Sequence, residues 1–173
     1  MDLKNPPFPP VEPKLEFAFE VRLQFDRQPT IKNIASGGER GYVGVISGTF
    51  EGPGIKGTAV PNSGGDWAHF RTDGVTQFDA IYLLETDDGH RILLRNAGYS
   101  WFRSKEVEEN WDRIKDGTVP GVTAVSPEGY YFRTHPTFEV ASGSKYDWLN
   151  RTVFVGTGAR ALNGNVIRYF KVV

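Results

Sequence analysis

A chain of 173 residues is the length of one domain, long enough to bury about 70% of the surface its unfolded form exposes without a covalent staple. Twenty Lys and Arg against 21 Asp and Glu leave a formal net charge of −1 with neither sign clustered, which argues against a nucleic acid or an anionic membrane surface as partner. The absence of cysteine removes disulfides, thiolate metal sites, Fe–S clusters and Cys nucleophiles together; it suits a reducing compartment, so the cytoplasm is the expected location.

The first residues, MDLKNPPFPPVEPKLEF, carry no apolar leader segment, and no run elsewhere approaches the ~18 apolar residues of a membrane span. The five prolines before Lys14 cannot join a central strand or a helix interior, so residues 1–14 read as an extended arm, packed on the domain or a partner subunit, or left loose. Residues 15–173 then form the single domain. In LEFAFEVRLQFD, Phe17, Phe19, Val21, Leu23 and Phe25 alternate with Ala18, Glu20, Arg22 and Gln24, the period of a half-buried strand. The glycine-dense stretch from Ile34 to Pro61 reads as strands in a strongly bent sheet, punctuated at Gly52-Pro53-Gly54.

Beyond the turn-rich Pro61–Gly65, two Asp-Gly pairs, Asp73-Gly74 and Asp88-Gly89, divide GDWAHFRTDGVTQFDAIYLLETDDGHRILLRNAGY into three strands. Read as two-residue type I′ loops, they oppose His69 with Phe78, Tyr82 with Arg95 and Leu84 with Leu93. One surface then collects Trp67, His69, Arg71, Phe78, Tyr82, Leu84, Leu93, Arg95 and Tyr99, and the other carries Asp66, Gln77, Asp79, Ile81, Leu83, Ile92, Leu94 and Asn96. The spacing of Val107, Trp111 and Ile114 predicts one helix, with Ser104 as N-cap and Gly117 as the stop. Strands follow in YYFRTHPTFEV, YDWLNRTVFVGTGARA and NVIRYFKVV, with Asn163-Gly164 as a further hairpin signal. Many short strands, frequent turns and a single helix predict an all-β antiparallel fold, and closure into a barrel removes the exposed edges of an open sheet.

The series GTFEGPGIKGTAVPNSGGDW, RTDGV, FDAIYLLETDDG, RNAGY, YYFRTHPTFE and YDWLNRTVFVGTG resembles, in this order and from about Leu15 to the C-terminus, the DUF3237 family, also called UPF0311. The resemblance implies an antiparallel β-barrel of calycin-like appearance and no general activity. Asp79-Ala80-Ile81-Tyr82 and Arg95-Asn96 belong to the pattern that carries it, which inclines the Tyr82 and Arg95 surface toward the interior.

Arg71, Tyr82 and Arg95 either stand outside the barrel, where arginine is ordinary, or line a wet cavity that must partner two cations. His69 is a candidate general acid or base, since a neighbouring guanidinium keeps an imidazole neutral and basic near pH 7, and equally a structural histidine. Asp66 is a second candidate, because its Gly-Gly approach can set it at a cavity rim. In the C-terminal half, Tyr131 with Arg133, and Trp148 with Asn150, suit stacking and hydrogen bonding to a flat oxygenated ligand, or else belong to an aromatic core. His69, His90 and His135 have no metal-ligand spacing, and no GxGxxG, P-loop or GxSxG elbow is present, so neither metal nor cofactor is expected.

Three functions fit. The first is a cofactor-independent enzyme for isomerisation, cyclisation or elimination of an oxygenated aromatic or polyketide-like molecule. In it His69 or Asp66 moves the proton, Arg71 and Arg95 stabilise developing charge, Tyr82 and Tyr99 orient oxygens, and Trp67 and Trp148 form stacking walls. The second is a barrel that binds such a molecule without chemistry. The third is a dimerising module whose exposed stripe of Ile81, Leu83, Ile92 and Leu94 meets a second copy; a homodimer is compatible with the other two.

Overall fold

Long alternating strands with glycine at their bends can close on themselves, and they do so here. The computed structural model describes residues 4, 8–27, 29–121 and 124–173. Eight strands form an antiparallel barrel: β1 (Leu15–Arg27), β3 (Val43–Gly52), β4 (Ile55–Ala59), β7 (Thr76–Thr86), β8 (Arg91–Phe102), β9 (Tyr130–Val140), β10 (Phe154–Ala161) and β11 (Gly164–Val172). The circuit runs β1, β3, β4, β7, β8, β9, β10, β11 and back to β1. Three two-residue strands complete it: β2 (Glu39–Arg40), β5 (Gly65–Asp66) and β6 (His69–Phe70). β5 fills the slot between β3 and β7 that the short β4 leaves open, while β6 pairs with β7 and β2 with β6.

Residues 1–3 and 5–7 of the proline-rich arm lie outside the described residues. Phe8 and Val11 are exposed, and no strand or helix forms among the described residues before Leu15. Lys14 exchanges backbone hydrogen bonds with Val173, tying the barrel's two ends of chain together.

Both Asp-Gly hairpins differ from the two-residue expectation. Arg71 N donates to Val75 O (2.9 Å) and Gly74 N to Arg71 O (3.3 Å); Thr86 N donates to His90 O (2.9 Å) and Gly89 N to Thr86 O (2.8 Å). Gly74 and Gly89 lie at φ +81° and +83°. Each loop therefore has three residues, a tight turn closed by a left-handed glycine. The extra residue slips the pairing by one, so His69 opposes Gln77, Tyr82 opposes Leu94 and Leu84 opposes Ile92. In a strand such a slip exchanges faces. Phe78, Ala80, Tyr82 and Leu84 point into the barrel as expected, but their companions are Ile92, Leu94 and Asn96, and Arg95 and Tyr99 point outward. The expected stripe of Ile81, Leu83, Ile92 and Leu94 is divided by the same slip, with Ile92 and Leu94 in the core. Phe17 also leaves its predicted face, because the ladder between β1 and β11 skips Ala18; Phe17 packs outside on Phe170, beneath the Arg168 guanidinium.

Phe19, Phe50, Phe138, Phe154 and Tyr169 fill the lower half of the barrel with edge-on and tilted contacts at centroid separations of 4.9–5.9 Å, each such side chain contributing about 1.5–3 kcal/mol on full burial. Leu149, from a short 3₁₀ turn at Asp147–Arg151, joins this core. Helix α1 (Lys105–Lys115) follows β8 with Ser104 capping Val107 N, and buries Trp111 and Ile114 as its spacing predicts. At the closed end, Asp88 accepts from Lys145 Nζ (2.8 Å), Tyr146 Oη (2.9 Å) and Thr86 Oγ1 (2.7 Å). These donors hold its carboxyl well below the usual carboxylate range. No helix of the described residues is long and apolar enough to cross a membrane.

The turn geometry is testable at Gly89, whose Cβ position is open but whose φ is +83°. Gly89→Ala is expected to lower stability by about 1 kcal/mol and Gly89→Asn by less, since Asn tolerates the left-handed region; equal losses in chemical denaturation would contradict this account of the loop.

Candidate active site

The open end of the barrel is shaped by backbone crowding at β5. A Cβ on Gly65 would lie 2.3 Å from Val43 O, so only glycine lets this strand sit between β3 and β7. The next residue, Asp66, is thereby delivered to the wall of a cavity of about 210 Å³. Phe25, Tyr42, Phe70 and Phe78 supply its apolar surfaces, and Thr30, Thr76, Arg160 and Asn165 its polar ones. A narrower extension of about 30 Å³ runs inward past Asp66, Asn165 and Phe132 to Tyr82 and Asn96.

Asp66 is half-buried, and its Oδ1 accepts from Asp79 N at 2.8 Å. Removal from water pushes its carboxyl up to about 6, with the Asp79 carboxylate adding to the rise; the Asp79 amide, Arg160 and Arg40 oppose it. The carboxyl thus exchanges a proton near neutrality, unlike an ordinary aspartate. Arg160 reaches the same space from β10, its guanidinium 5.6 Å and 5.9 Å from the ring centres of Phe132 and Phe78, and its backbone N donates to Tyr130 Oη at 2.8 Å. Arg40 Nη1 donates to Trp67 O at 2.9 Å.

Of the residues singled out from sequence, the structure brings Asp66 and Tyr82 to the interior. Trp67 is exposed and packs at a tilt against Tyr42, ring centres 4.6 Å apart, one ring behind the cavity wall. His69 lies outside the lining, its Nε2 2.8 Å from Gly37 O, an acceptor to which that nitrogen must donate. Arg71 pairs with Asp73 in the turn, and Arg95 and Tyr99 lie on the outer face of β8. Tyr131 stacks on Trp101 at 3.8 Å with Arg133 above it at 5.2 Å, all on the outer surface. Trp148 packs against Phe154 from the closed end. Asn150 mimics a strand neighbour, its side chain exchanging hydrogen bonds with Val140 N and O (2.9 and 3.0 Å).

Sequence reasoning missed Arg160, Asn96, Asn165 and Tyr169. A signal for the first existed: Phe154, Gly156, Gly158 and Arg160 share one strand phase, so an inward Phe154 carries Arg160 inward. Asn96 was concealed by the one-residue slip of β8.

The arrangement can hold a flat, largely apolar molecule between aromatic walls while a carboxyl of matched acidity and a guanidinium face it. Comparison with known proteins bears on what it does. A family model described as "Protein of unknown function (DUF3237)" matches residues 13–172. A UPF0311 protein from Clostridium acetobutylicum is 30% identical over 161 residues, covering 93% of this chain and 95% of that protein. The crystal structure of a β-barrel-like protein from Acinetobacter baumannii superposes with a TM-score of 0.77 at 31% identity, covering 96% of this chain and 99% of that one. A hydroalkoxylation enzyme from Penicillium herquei is 26% identical over 173 residues, covering 94% of this chain and 86% of that enzyme.

The raised pKa of Asp66 makes stability depend on pH. The folded state binds the Asp66 proton more tightly than the unfolded chain, so its contribution is fully present below the ordinary value of 3.8 and lost as pH rises through about 6. Asp66→Asn, which keeps an acceptor for Asp79 N, is therefore expected to gain stability relative to the parent between about pH 4 and about pH 8, with a ceiling of about 3 kcal/mol. Denaturation midpoints that track the parent across this range would contradict the desolvation of Asp66.

Proposed function

We propose that this chain, which belongs to the DUF3237 (UPF0311) family, is an enzyme that cyclises an oxygenated aromatic molecule by proton transfer, adding a hydroxyl of the substrate across its own carbon–carbon double bond. The observation that carries the proposal is Asp66, a half-buried carboxyl titrating at about 6 on the wall of an aromatic-lined cavity. The hydroalkoxylation enzyme among its relatives supplies the reaction type.

In the proposed step the Asp66 acid gives its proton to one alkene carbon, the substrate hydroxyl oxygen bonds to the other, and the hydroxyl proton returns to the carboxylate. Product and substrate are isomers, and no electron acceptor or donor is required. Arg160 and Arg40 reduce the cost of the transient carboxylate, and the aromatic walls hold the ring so that the two reacting groups approach within one encounter. Water must be kept from intercepting the activated alkene, a role for the bound ring itself as it fills the space between Phe25, Tyr42, Phe70 and Phe78.

The test uses ortho-prenylated phenols and follows a mass-neutral change in chromatographic retention. Asp66→Asn is expected to lower kcat/KM by about 10²–10⁴ while leaving binding nearly intact, the usual worth of a positioned acid. Because the acid form acts, kcat/KM should fall tenfold per pH unit above about 6. Tight binding with no turnover, unchanged by Asp66→Asn, would make the protein a binding barrel instead.

A further inference from the structure

Four buried polar atoms below the cavity complete no well-formed hydrogen bond: Tyr82 Oη, Asn96 Oδ1, Thr134 Oγ1 and Tyr169 Oη. Such groups cost about 1–3 kcal/mol each when left unsatisfied, and their positions are related. Asn96 lies on β8 diagonally between Tyr82 on β7 and Thr134 on β9, since Ala80 opposes Asn96 and Gly98 opposes Thr134. Gly156 opposes both Thr134 and Tyr169 across β9, β10 and β11. A Cβ on Gly156 would lie 2.4 Å from Thr134 Oγ1 and 2.9 Å from the Tyr169 ring, so its absence lets these two side chains close together. The result is one polar layer across the barrel, with phenylalanines below it and the cavity above. The narrow extension of about 30 Å³ is lined by Tyr82 and Asn96 and so brings the cavity to this layer.

We infer that this layer is an oxygen-binding subsite, in which a phenolic hydroxyl at the inner end of the ligand accepts from the Tyr82 and Tyr169 hydroxyls and donates to Asn96 Oδ1. A phenol matches the layer because it both donates and accepts; an ether or a carbonyl would leave Asn96 Oδ1 unpaired. Burial raises both tyrosines far beyond neutral ionisation, so each keeps its proton to donate. The two hydroxyls lie close enough to interact with each other, so a ligand oxygen entering at Tyr82 also meets the neighbourhood of Tyr169. The inference rests on the cavity being the ligand site, and it narrows the substrate: its aromatic ring carries a hydroxyl at the end remote from the group that reacts at Asp66.

The experiment compares 2-naphthol with naphthalene in calorimetric titrations of the whole chain and of the Tyr82→Phe, Tyr169→Phe, double Tyr→Phe and Asp66→Asn variants. Binding of 2-naphthol about tenfold tighter than naphthalene, lost in the double variant and retained in Asp66→Asn, is the expected result, a tenfold preference being what two modest hydrogen bonds supply. Thermal melting separates this from a structural role: hydroxyls without good partners should leave the Tm of the double variant equal or higher, and a large drop would overturn the subsite. Equal affinity for the two probes would also overturn it while leaving the Asp66 chemistry standing. A preference that survives the double variant and disappears in Asp66→Asn would place the oxygen at Asp66 and overturn it as well. If neither probe binds, the cavity itself is not an aromatic site and the subsite falls with it.

Discussion

Backbone geometry at Gly74 and Gly89 decides what the barrel contains. Each closes a three-residue hairpin loop with a positive φ, and the resulting offset sets which half of β8 faces inward. With a two-residue loop, Arg95 would enter the barrel beside Tyr82, and an unpaired guanidinium in that apolar space would cost several kcal/mol. With the observed loops, Leu94 opposes Tyr82 and Asn96 stands one inward position further along β8. A neutral amide can be buried at modest cost where a cation cannot.

That offset also explains the distribution of polarity along the barrel axis. Around Phe19, Phe50, Phe138 and Phe154 the interior is packed with aromatic and aliphatic side chains, and it is there that burial stabilises the fold most. Above it, Tyr82, Asn96 and Thr134 interrupt the apolar packing, and above them the strands diverge around open space lined by Phe25, Phe78 and Arg160. A core designed only for stability would continue phenylalanine and leucine to the rim. Retaining four poorly partnered polar atoms lowers stability, and such a cost is characteristic of sites shaped for a ligand rather than for folding.

Much of this was readable from composition and period. The all-β closure and the helix at Lys105–Lys115 with its Ser104 cap follow from alternation, spacing and turn residues that act locally, whereas the choice of the Tyr82 face as interior leans on the family resemblance. Faces of neighbouring strands depend instead on loop length, and an Asp-Gly pair is compatible with two- and three-residue loops alike. That single ambiguity carried Arg95 and Tyr99 to the wrong side and hid Asn96. Trp148 and Asn150 were misplaced for a different reason: they lie in a 3₁₀ turn rather than a strand, so period-two reasoning did not apply to them. The placement of Asp66 at a cavity was legible in its glycine approach, which reflects a real steric demand.

The steric demand at β5 is also what makes Asp66 chemically unusual. A two-residue strand wedged between β3 and β7 has no freedom to swing its side chain toward bulk water, because Gly64 and Gly65 press against Ile81 O and Val43 O and both flanking ladders hold the backbone. The carboxyl is therefore kept at the boundary between the aromatic cavity and the rim, where desolvation outweighs the favourable field of Arg160 and Arg40. Were it deeper, the proton would never leave near neutrality; were it on the rim, the group would be an ordinary carboxylate. The position that permits exchange at about 6 is thus set by glycine packing in the backbone at the two residues before Asp66, and the two cations adjust it from there.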